Sequence, residues 1–346
     1  MFSFQKLTAP IFQAPMAGGV CTPELVAAVT NAGGVGGFGF AYSTPEKISQ
    51  DLAAARALTS GPINANFFVF QPVDLPSAQL QDEAVRALKS LPYGNEYSAV
   101  LPSSPFYPDL AQQLAPIWAH RPAVLTFHFG VPPADVIKQA HALGMAVGIS
   151  ATSLAEAMMI QRAGADFIVA QGIEAGGHRG IFDANAPDEA LSMIDLTRQL
   201  ARECSIPIVS AGGIMDGTDI QAALRAGASA AQLGTAFLCC NESGASPAHK
   251  SFLMNQQHRP SVFTKAFSGR HARGIENEFI TQMENQAILP FPLQNTLTGS
   301  LRQWAGKTNN GEYQSLWAGA AFQRTRSMPA QDLIKAFMQE ISAATR

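Results

Sequence analysis

The feature that most constrains the fold is an alternation of short apolar runs with segments that begin like helices, repeated eight times between residues 11 and 237. Several of the helix-like segments open with a Ser or Thr followed by proline, as at Thr22-Pro23, which is typical of a capped helix start. The apolar runs are Ile11–Pro15, Val35–Phe38, Ile63–Val69, Ala123–Phe127, Ala146–Ser150, Phe167–Ala170, Pro207–Ser210 and Ala230–Leu233. Strands this apolar are typical of parallel sheets buried on both faces. Eight β–α steps predict a closed (β/α)8 TIM barrel and disfavour a doubly wound open sheet.

The alternation stops after Phe237, and the next 80 or so residues are more polar and irregular. We predict that residues 238–318 form a cap over the substrate region, whereas 1–237 and 319–346 form the barrel. Helices are predicted at Ser77–Ser90, Ser153–Ala163, Asp188–Glu203, Asp216–Ala226, Pro247–Gln257 and Ile275–Gln286, with a closing helix at Pro329–Thr345.

Composition excludes several function classes. Hydrophobic residues make up 47% and charged residues 14% of the chain, which favours a large core. The net charge is −3 without a Lys/Arg run, so we expect neither nucleic acid nor a membrane as a partner. No leader-like or spanning apolar stretch is present, and Cys21, Cys204, Cys239 and Cys240 show no disulfide or CxxC spacing. We therefore expect a cytoplasmic protein, for which a homodimer is compatible with the sequence.

Glycine-rich loops follow the seventh and eighth apolar runs, at Ala211-Gly212-Gly213 and Gly234-Thr235. Glycines let backbone N–H groups approach an anion closely, and these two loops are the usual phosphate site of such barrels. Two ordinary tight turns are the alternative. Because both signals fall where a phosphate site is expected, we favour a phosphorylated cofactor or substrate.

The loop after the sixth run contains Gly176-Gly177-His178. Glycines before a histidine bring the backbone against a flat ligand and leave an imidazole that can accept a proton near neutral pH. A histidine that only bonds the loop backbone is the alternative. Neighbouring Glu174 and Arg179 could pair with each other and receive no catalytic role.

Other strand ends offer fewer groups. Ala14-Pro15-Met16 can supply only backbone contacts and an apolar wall, whereas Asn64 and Asn66 lie two apart and therefore on one strand face. An amide there suits recognition of a heterocycle edge. His128 stands at the fourth strand end, as either a substrate contact or a loop residue. No metal-ligand spacing and no GxSxG elbow occur, so neither a metal nor a serine triad is expected.

Five segments in this order resemble the nitronate monooxygenases: APMAGG at 14–19, HFG at 128–130, QGIEAGGHRG at 171–180, SAGGI at 210–214 and QLGTAF at 232–237. FPLQNTLTG at 291–299 and LWAG at 316–319 are similar to the tail of the bacterial branch of that family. The resemblance implies a non-covalently bound FMN. The residues it assigns to the cofactor are Ala14, Pro15, Met16, Asn66, Gln171, Gly176, Gly177, Ala211, Gly212, Gly213, Gln232, Gly234 and Thr235.

The resemblance also implies a reaction. An alkyl nitronate such as propionate 3-nitronate would be oxidised by O2 to a carbonyl compound and nitrite, through a flavin semiquinone. His178 matches the family's catalytic histidine, and we expect His128 and Lys307 to contact the substrate. Two alternatives stay open: an NAD(P)H-dependent flavin reductase of quinones or enoyl thioesters, and a non-catalytic FMN-binding barrel.

Overall fold

The computed structural model describes residues 2–344 and has at its centre a parallel sheet of eight strands. These strands, β1 to β8, are Ile11–Gln13, Gly36–Gly39, Ile63–Phe68, Val124–His128, Ala146–Ala151, Phe167–Gln171, Ile208–Ala211 and Ala230–Leu233. Their order around the sheet is β1-β8-β7-β6-β5-β4-β3-β2. A parallel bridge between Phe12 and Val35 joins β1 to β2 and closes the ring. The predicted (β/α)8 TIM barrel is confirmed.

Thirteen α-helices, α1 to α13, fall within the described residues: Pro23–Asn31, Pro45–Leu58, Ala78–Lys89, Leu110–His120, Ala134–Ala142, Leu154–Arg162, Met193–Glu203, Gly217–Arg225, Pro247–Asn255, Glu278–Gln282, Leu293–Leu297, Gly299–Lys307 and Ala330–Ala344. The capped starts occur as the sequence predicts. The Thr22 hydroxyl accepts the N–H of Leu25 at 3.0 Å, and the Thr44 hydroxyl accepts that of Lys47 at 3.3 Å. Each hydroxyl satisfies a backbone donor that the helix leaves unpaired.

Helix prediction is wrong in three places. Helix α4 is unpredicted, because Pro116 interrupts its helical pattern, yet Leu114 and Ile117 bury against the barrel. Helix α7 begins at Met193, five residues after the predicted start at Asp188, because Ser192 caps it and Asp188 is paired elsewhere. The predicted helix at Ile275–Gln286 is reduced to α10.

The segment 238–318 contains a hairpin that sequence reasoning missed. Ser261–Thr264 pairs antiparallel with Ala272–Ile275, and the two-residue strand Gly177–His178 joins this hairpin as a third strand. The hairpin thereby ties the loop after β6 to the segment predicted as a cap. Apolar and polar residues alternate only weakly in these short strands, so the sequence carries no periodic pattern that would predict them.

Helix α13 packs against α8 and seals one side of the barrel, with Leu333 and Phe337 buried in the core. Burial of each such side chain contributes about 1.5–3 kcal/mol. The predicted end of this helix, Thr345, lies outside the described residues, as do Met1 and Arg346 of the predicted barrel unit. None of the helices described is long and apolar enough to cross a membrane.

Candidate active site

A cavity of about 440 Å³ opens at the carboxyl ends of the barrel strands. This volume is in the usual range for small-molecule sites, and this end of such barrels is where they occur. The structure brings together here every predicted site residue except one: Ala14, Pro15, Met16, Asn66, His128, Gln171, Gly176, Gly177, His178, Ala211, Gly212, Gly213, Gln232, Gly234 and Thr235. Their common location is an observation, and the role of each stays a prediction.

Lys307 is the residue that the structure places elsewhere. It is the last residue of α12, it is exposed, and it is not among the residues that line the cavity. The cation that does line the cavity lies on the same helix, at Arg302. The sequence pattern could not separate the two residues, because a helix without a clear apolar stripe does not show which of its sides faces the barrel.

The ends of the adjacent strands β7 and β8 form a cradle of backbone N–H groups. Gly212 and Gly213 have φ of +127° and +66°, in the region that favours glycine. The N–H groups of Gly212, Gly213, Gly234 and Thr235 have no acceptor within residues 2–344. The Thr235 hydroxyl accepts the N–H of Gly319 at 2.9 Å and can still donate its own hydrogen. Such converging donors suit a phosphate.

The opposite wall of the cavity, at the end of β3, has one hydrogen-bond acceptor that could meet the edge of a heterocycle. The Asn66 side-chain amide donates to the Thr126 hydroxyl at 2.9 Å, and Thr126 donates to the Asn64 side-chain carbonyl at 3.0 Å. Asn64 and Asn66 therefore share a face, as predicted. Within the described residues no donor contacts the side-chain carbonyl of Asn66. Because Asn66 lines the cavity, this carbonyl is available to a ligand N–H.

Gln171 and His128 hold the backbone of the loop that carries His178. The Gln171 side chain accepts the N–H of Gly180 at 2.7 Å and donates to the carbonyl of His178 at 2.9 Å. The Nε2 of His128 faces the same carbonyl at 3.2 Å. Both side chains thus position the loop through hydrogen bonds. The predicted contacts, of Gln171 with the cofactor and of His128 with the substrate, did not include this role.

The His178 imidazole is held by the hairpin. Its Nε2 lies 2.9 Å from the Ser268 hydroxyl, and its backbone pairs with Ala272. The Ser268 hydroxyl also lies 3.1 Å from the carbonyl of Arg270, so it can donate its single hydrogen either to that carbonyl or to Nε2 of His178. In the part of the chain described, Nδ1 of His178 has no protein partner, and it is the ring nitrogen left for a ligand.

Burial, and to a smaller extent the nearby His128, Arg270 and Arg302, together lower the pKa of His178 to about 3. Burial likewise lowers the pKa of His128 to about 4. Both imidazoles are therefore neutral near pH 7 in the ligand-free protein. Phe68 and Trp317 flank the His178 ring at centroid distances of 6.0 and 5.6 Å.

One expectation for this loop needs correction, and one glycine has a second reason to be there. Arg179 does not pair with Glu174; its Nε lies 2.8 Å from a carboxylate oxygen of Asp188. A side chain at Gly176 would meet the backbone of Ala318 and Gly319 at 2.6 Å, so this contact by itself requires a glycine. Contact of the Gly176-Gly177 backbone with a flat ligand stays a prediction.

Sequence reasoning missed several groups that come from distant segments. Ser268 holds His178, while Tyr42, Asn295 and Arg302 line the cavity. His249, on α9, lines the cavity too, and its Nε2 is buried without a partner among residues 2–344. No motif or period marks these residues, since each is one polar residue in an irregular segment. Within residues 2–344, no cluster of three or more His, Cys, Asp or Glu side chains could hold a metal ion.

Comparison with known proteins is consistent over the whole chain. The sequence model of the family described as nitronate monooxygenase matches residues 2–340. A nitronate monooxygenase of Paraburkholderia phytofirmans is 40% identical over 341 residues, which cover 96% of this chain and 92% of that protein. One of Pseudomonas aeruginosa is 38% identical over 345 residues, with 96% of each covered. A nitroalkane oxidase from Streptomyces ansochromogenes superposes with a TM-score of 0.92 at 36% identity, covering 99% of this chain and 98% of that one.

Proposed function

Because this chain belongs to the nitronate monooxygenase family, whose members are oxidoreductases that generally depend on a flavin, we propose that it binds FMN and oxidises alkyl nitronates with O2. The products would be a carbonyl compound and nitrite, and propionate 3-nitronate is our candidate substrate. The observation that carries this proposal is one cavity with free backbone N–H donors at one side and the unpaired Nδ1 of a neutral His178 at another.

The residues present fit FMN. The N–H groups of Gly212, Gly213, Gly234 and Thr235 would hold the phosphate without a charged side chain. The ring would lie against the wall at 14–16, with the free carbonyl of Asn66 at its edge. Once bound, the flavin would supply the electron transfer between substrate and O2. We also propose that residues 238–318 act as the cap that closes the substrate side.

His178 has two uses, depending on where the Ser268 hydrogen lies. If Ser268 donates to the carbonyl of Arg270, it accepts Nε2–H of His178, and Nδ1 is a base for the α-proton of a neutral nitroalkane. If Ser268 donates to Nε2, Nδ1 carries the hydrogen and donates it to a nitronate oxygen. A base with so low a pKa is a weak one, so we expect a substrate that is already ionised, the nitronate, to react faster.

Oxygen consumption tests the proposal. The purified protein, after its flavin has been identified by acid release, is given propionate 3-nitronate without NAD(P)H, and oxygen uptake and nitrite are recorded. Rapid uptake with nitrite is the expected result. A yellow protein that consumes no oxygen but oxidises NADH or NADPH would replace the proposal by the flavin reductase. A protein that cannot take up FMN would overturn the cofactor assignment.

A further inference from the structure

A second cavity lies at the opposite end of the barrel from the candidate active site. Its volume is about 400 Å³, and it is lined by the turns that lead into β2, β3, β4 and β5 and by the segment before β1. Three cations come together here: Lys6 from the segment before β1, Arg56 from the last turn of α2, and Arg121 from the turn between α4 and β4. None of the described residues that line this cavity is Asp or Glu. The cavity is therefore positively charged.

The protein does not compensate these three charges. Arg56 donates from Nη1 to the backbone carbonyl of Gly61 at 2.9 Å, which orients its guanidinium and leaves Nε and Nη2 without a partner in the described chain. Within residues 2–344 no carboxylate forms an ion pair with Lys6, Arg56 or Arg121. Single exposed cations are ordinary, but acidic residues outnumber Lys and Arg by 26 to 23 in this chain, so three cations that share one concavity without a carboxylate are not. Their fields add within the concavity and attract an anion into it.

Arg121 occupies a position at which the barrel otherwise uses glycine. Four other turns from a helix into the next strand contain a glycine with φ between +78° and +109°, namely Gly33, Gly144, Gly164 and Gly227. Arg121 has a φ of +49° and a ψ of +63°, also in the left-handed region, where a residue with a side chain is strained. Glycine would adopt this conformation without strain. The chain thus keeps an arginine here at a conformational cost, and that side chain lines the cavity.

The lining of this cavity suits a small molecule that carries phosphate groups. A diphosphate has enough negative charge to compensate three cations, which a single carboxylate has not, and arginine binds phosphate oxygens in pairs. The hydroxyls of Thr8 and Ser60 add donors, and Phe2 and Leu7 provide an apolar wall beside them. Nucleic acid and membrane surfaces are disfavoured, because the cations line a concavity and the chain as a whole has a net charge of −3.

We propose that this cavity, at the amino ends of the barrel strands, binds a small ligand that carries a diphosphate group. Lys6, Arg56 and Arg121 hold its oxygens, and an organic part lies along Phe2 and Leu7. These two apolar side chains also pack against the barrel core, so the segment before β1 covers this end of the barrel. The ligand joins that segment to α2 and to the α4–β4 turn. Binding therefore stabilises the fold, whatever reaction takes place at the other end.

Calorimetric titration with inorganic pyrophosphate tests the proposal. The protein is first saturated with FMN, so that the N–H cradle at the other end cannot take up the probe, and chloride keeps the ionic strength constant. One pyrophosphate per chain should bind, and at about 100 times Kd the midpoint of thermal unfolding should rise by about 3–4 °C. Citrate, which carries a similar charge on carboxylates, should bind at least about tenfold more weakly. No binding at about 10 mM pyrophosphate, or equal binding of citrate, would overturn the proposal.

Substitutions decide whether the probe binds in this cavity. Arg121→Gln should weaken pyrophosphate binding by about tenfold, and its combination with Lys6→Gln and Arg56→Gln should abolish binding. Arg202→Gln removes an exposed arginine of α7, outside the cavity, and should leave the affinity unchanged. Arg121→Gly removes the charge and relieves the backbone, so it should lose affinity while the unliganded protein unfolds at a temperature no lower than the parent's. If the triple variant binds pyrophosphate as the parent does, the anion binds elsewhere and the proposal fails.

Discussion

The β7–β8 side of the cavity and the side formed by β3, β4 and residues 238–318 present different atoms to a ligand. The first offers backbone N–H groups from glycine loops, fixed by the barrel itself. The second offers side chains that residues 238–318 hold in place: His178 is held by Ser268, and Arg302 is held by Asn295. A backbone cradle binds any phosphate group, whereas the side-chain side can distinguish one substrate from another. We therefore expect cofactor binding and substrate choice to respond to different substitutions.

The largest effect is expected at His178, on the side-chain side. Asparagine at this position keeps a hydrogen-bond donor but cannot serve as the base. In His178→Asn, turnover of a neutral nitroalkane should fall by about 10²–10⁴-fold, whereas turnover of the matching nitronate should fall by about tenfold or less. His271→Asn, which changes an exposed histidine of the hairpin, is the control and should alter neither. Equal losses on both substrates would remove the base role of His178.

The next largest effect is expected at the backbone cradle. Gly213 has a φ that Asp and Asn tolerate better than other residues, so both variants can fold. Both would crowd the Glu174 side chain at 2.9 Å, and they differ only in charge. Gly213→Asp should weaken FMN binding about 100-fold relative to Gly213→Asn, because its carboxylate repels the phosphate. Fluorescence titration of the apoprotein with FMN measures this, and equal affinities would exclude the phosphate from this loop.

The two sides also differ in how far the sequence predicted them. Glycines directly after buried apolar runs mark Gly212, Gly213 and Gly234 as strand-end loops, and the closed barrel then fixes where these loops meet. Arg302, Ser268 and the other groups contributed by residues 238–318 carry no such signal. Their positions depend on how irregular segments fold back over the barrel, which is tertiary information. For this reason the sequence predicts Lys307 as the cation at the substrate, whereas the structure places Arg302 at the cavity and leaves Lys307 exposed.

A smaller effect concerns stability, at His249 on helix α9. In the described part of the chain its Nε2 is buried without a partner, and burial lowers the pKa of this imidazole to about 4. Between about pH 6.5 and 4 the unfolded chain binds a proton here that the native protein does not. The free energy of unfolding should therefore fall with falling pH, by about 1.4 kcal/mol per unit for this residue.

His249→Gln should flatten that dependence, which denaturant unfolding at a series of pH values would measure. His258→Gln, which changes an exposed histidine, is the control and should leave the slope as in the parent protein. If His249→Gln and the parent lose stability in parallel below pH 6, then the imidazole is solvated in the native protein.

The smallest expected effect is on the pH dependence of kcat/KM for a neutral nitroalkane, which should be flat on the acidic side. The pKa of His178 is lowered to about 3 by burial first, and then by the positive charges of Arg270 and Arg302 and the proximity of His128. A lowered pKa keeps the uncharged imidazole present at every pH above it, so kcat/KM for a neutral nitroalkane should not decline through protonation of His178 between pH 8 and 5. Arg302→Met removes one of the charges that lower this pKa and should shift any acidic limb upwards. A limb near pH 6.5 in the parent protein would mean that neither burial nor Arg302 acts on His178. The proposed contrast, in which the barrel loops bind the cofactor and residues 238–318 adjust the pKa of the histidine, would then fail.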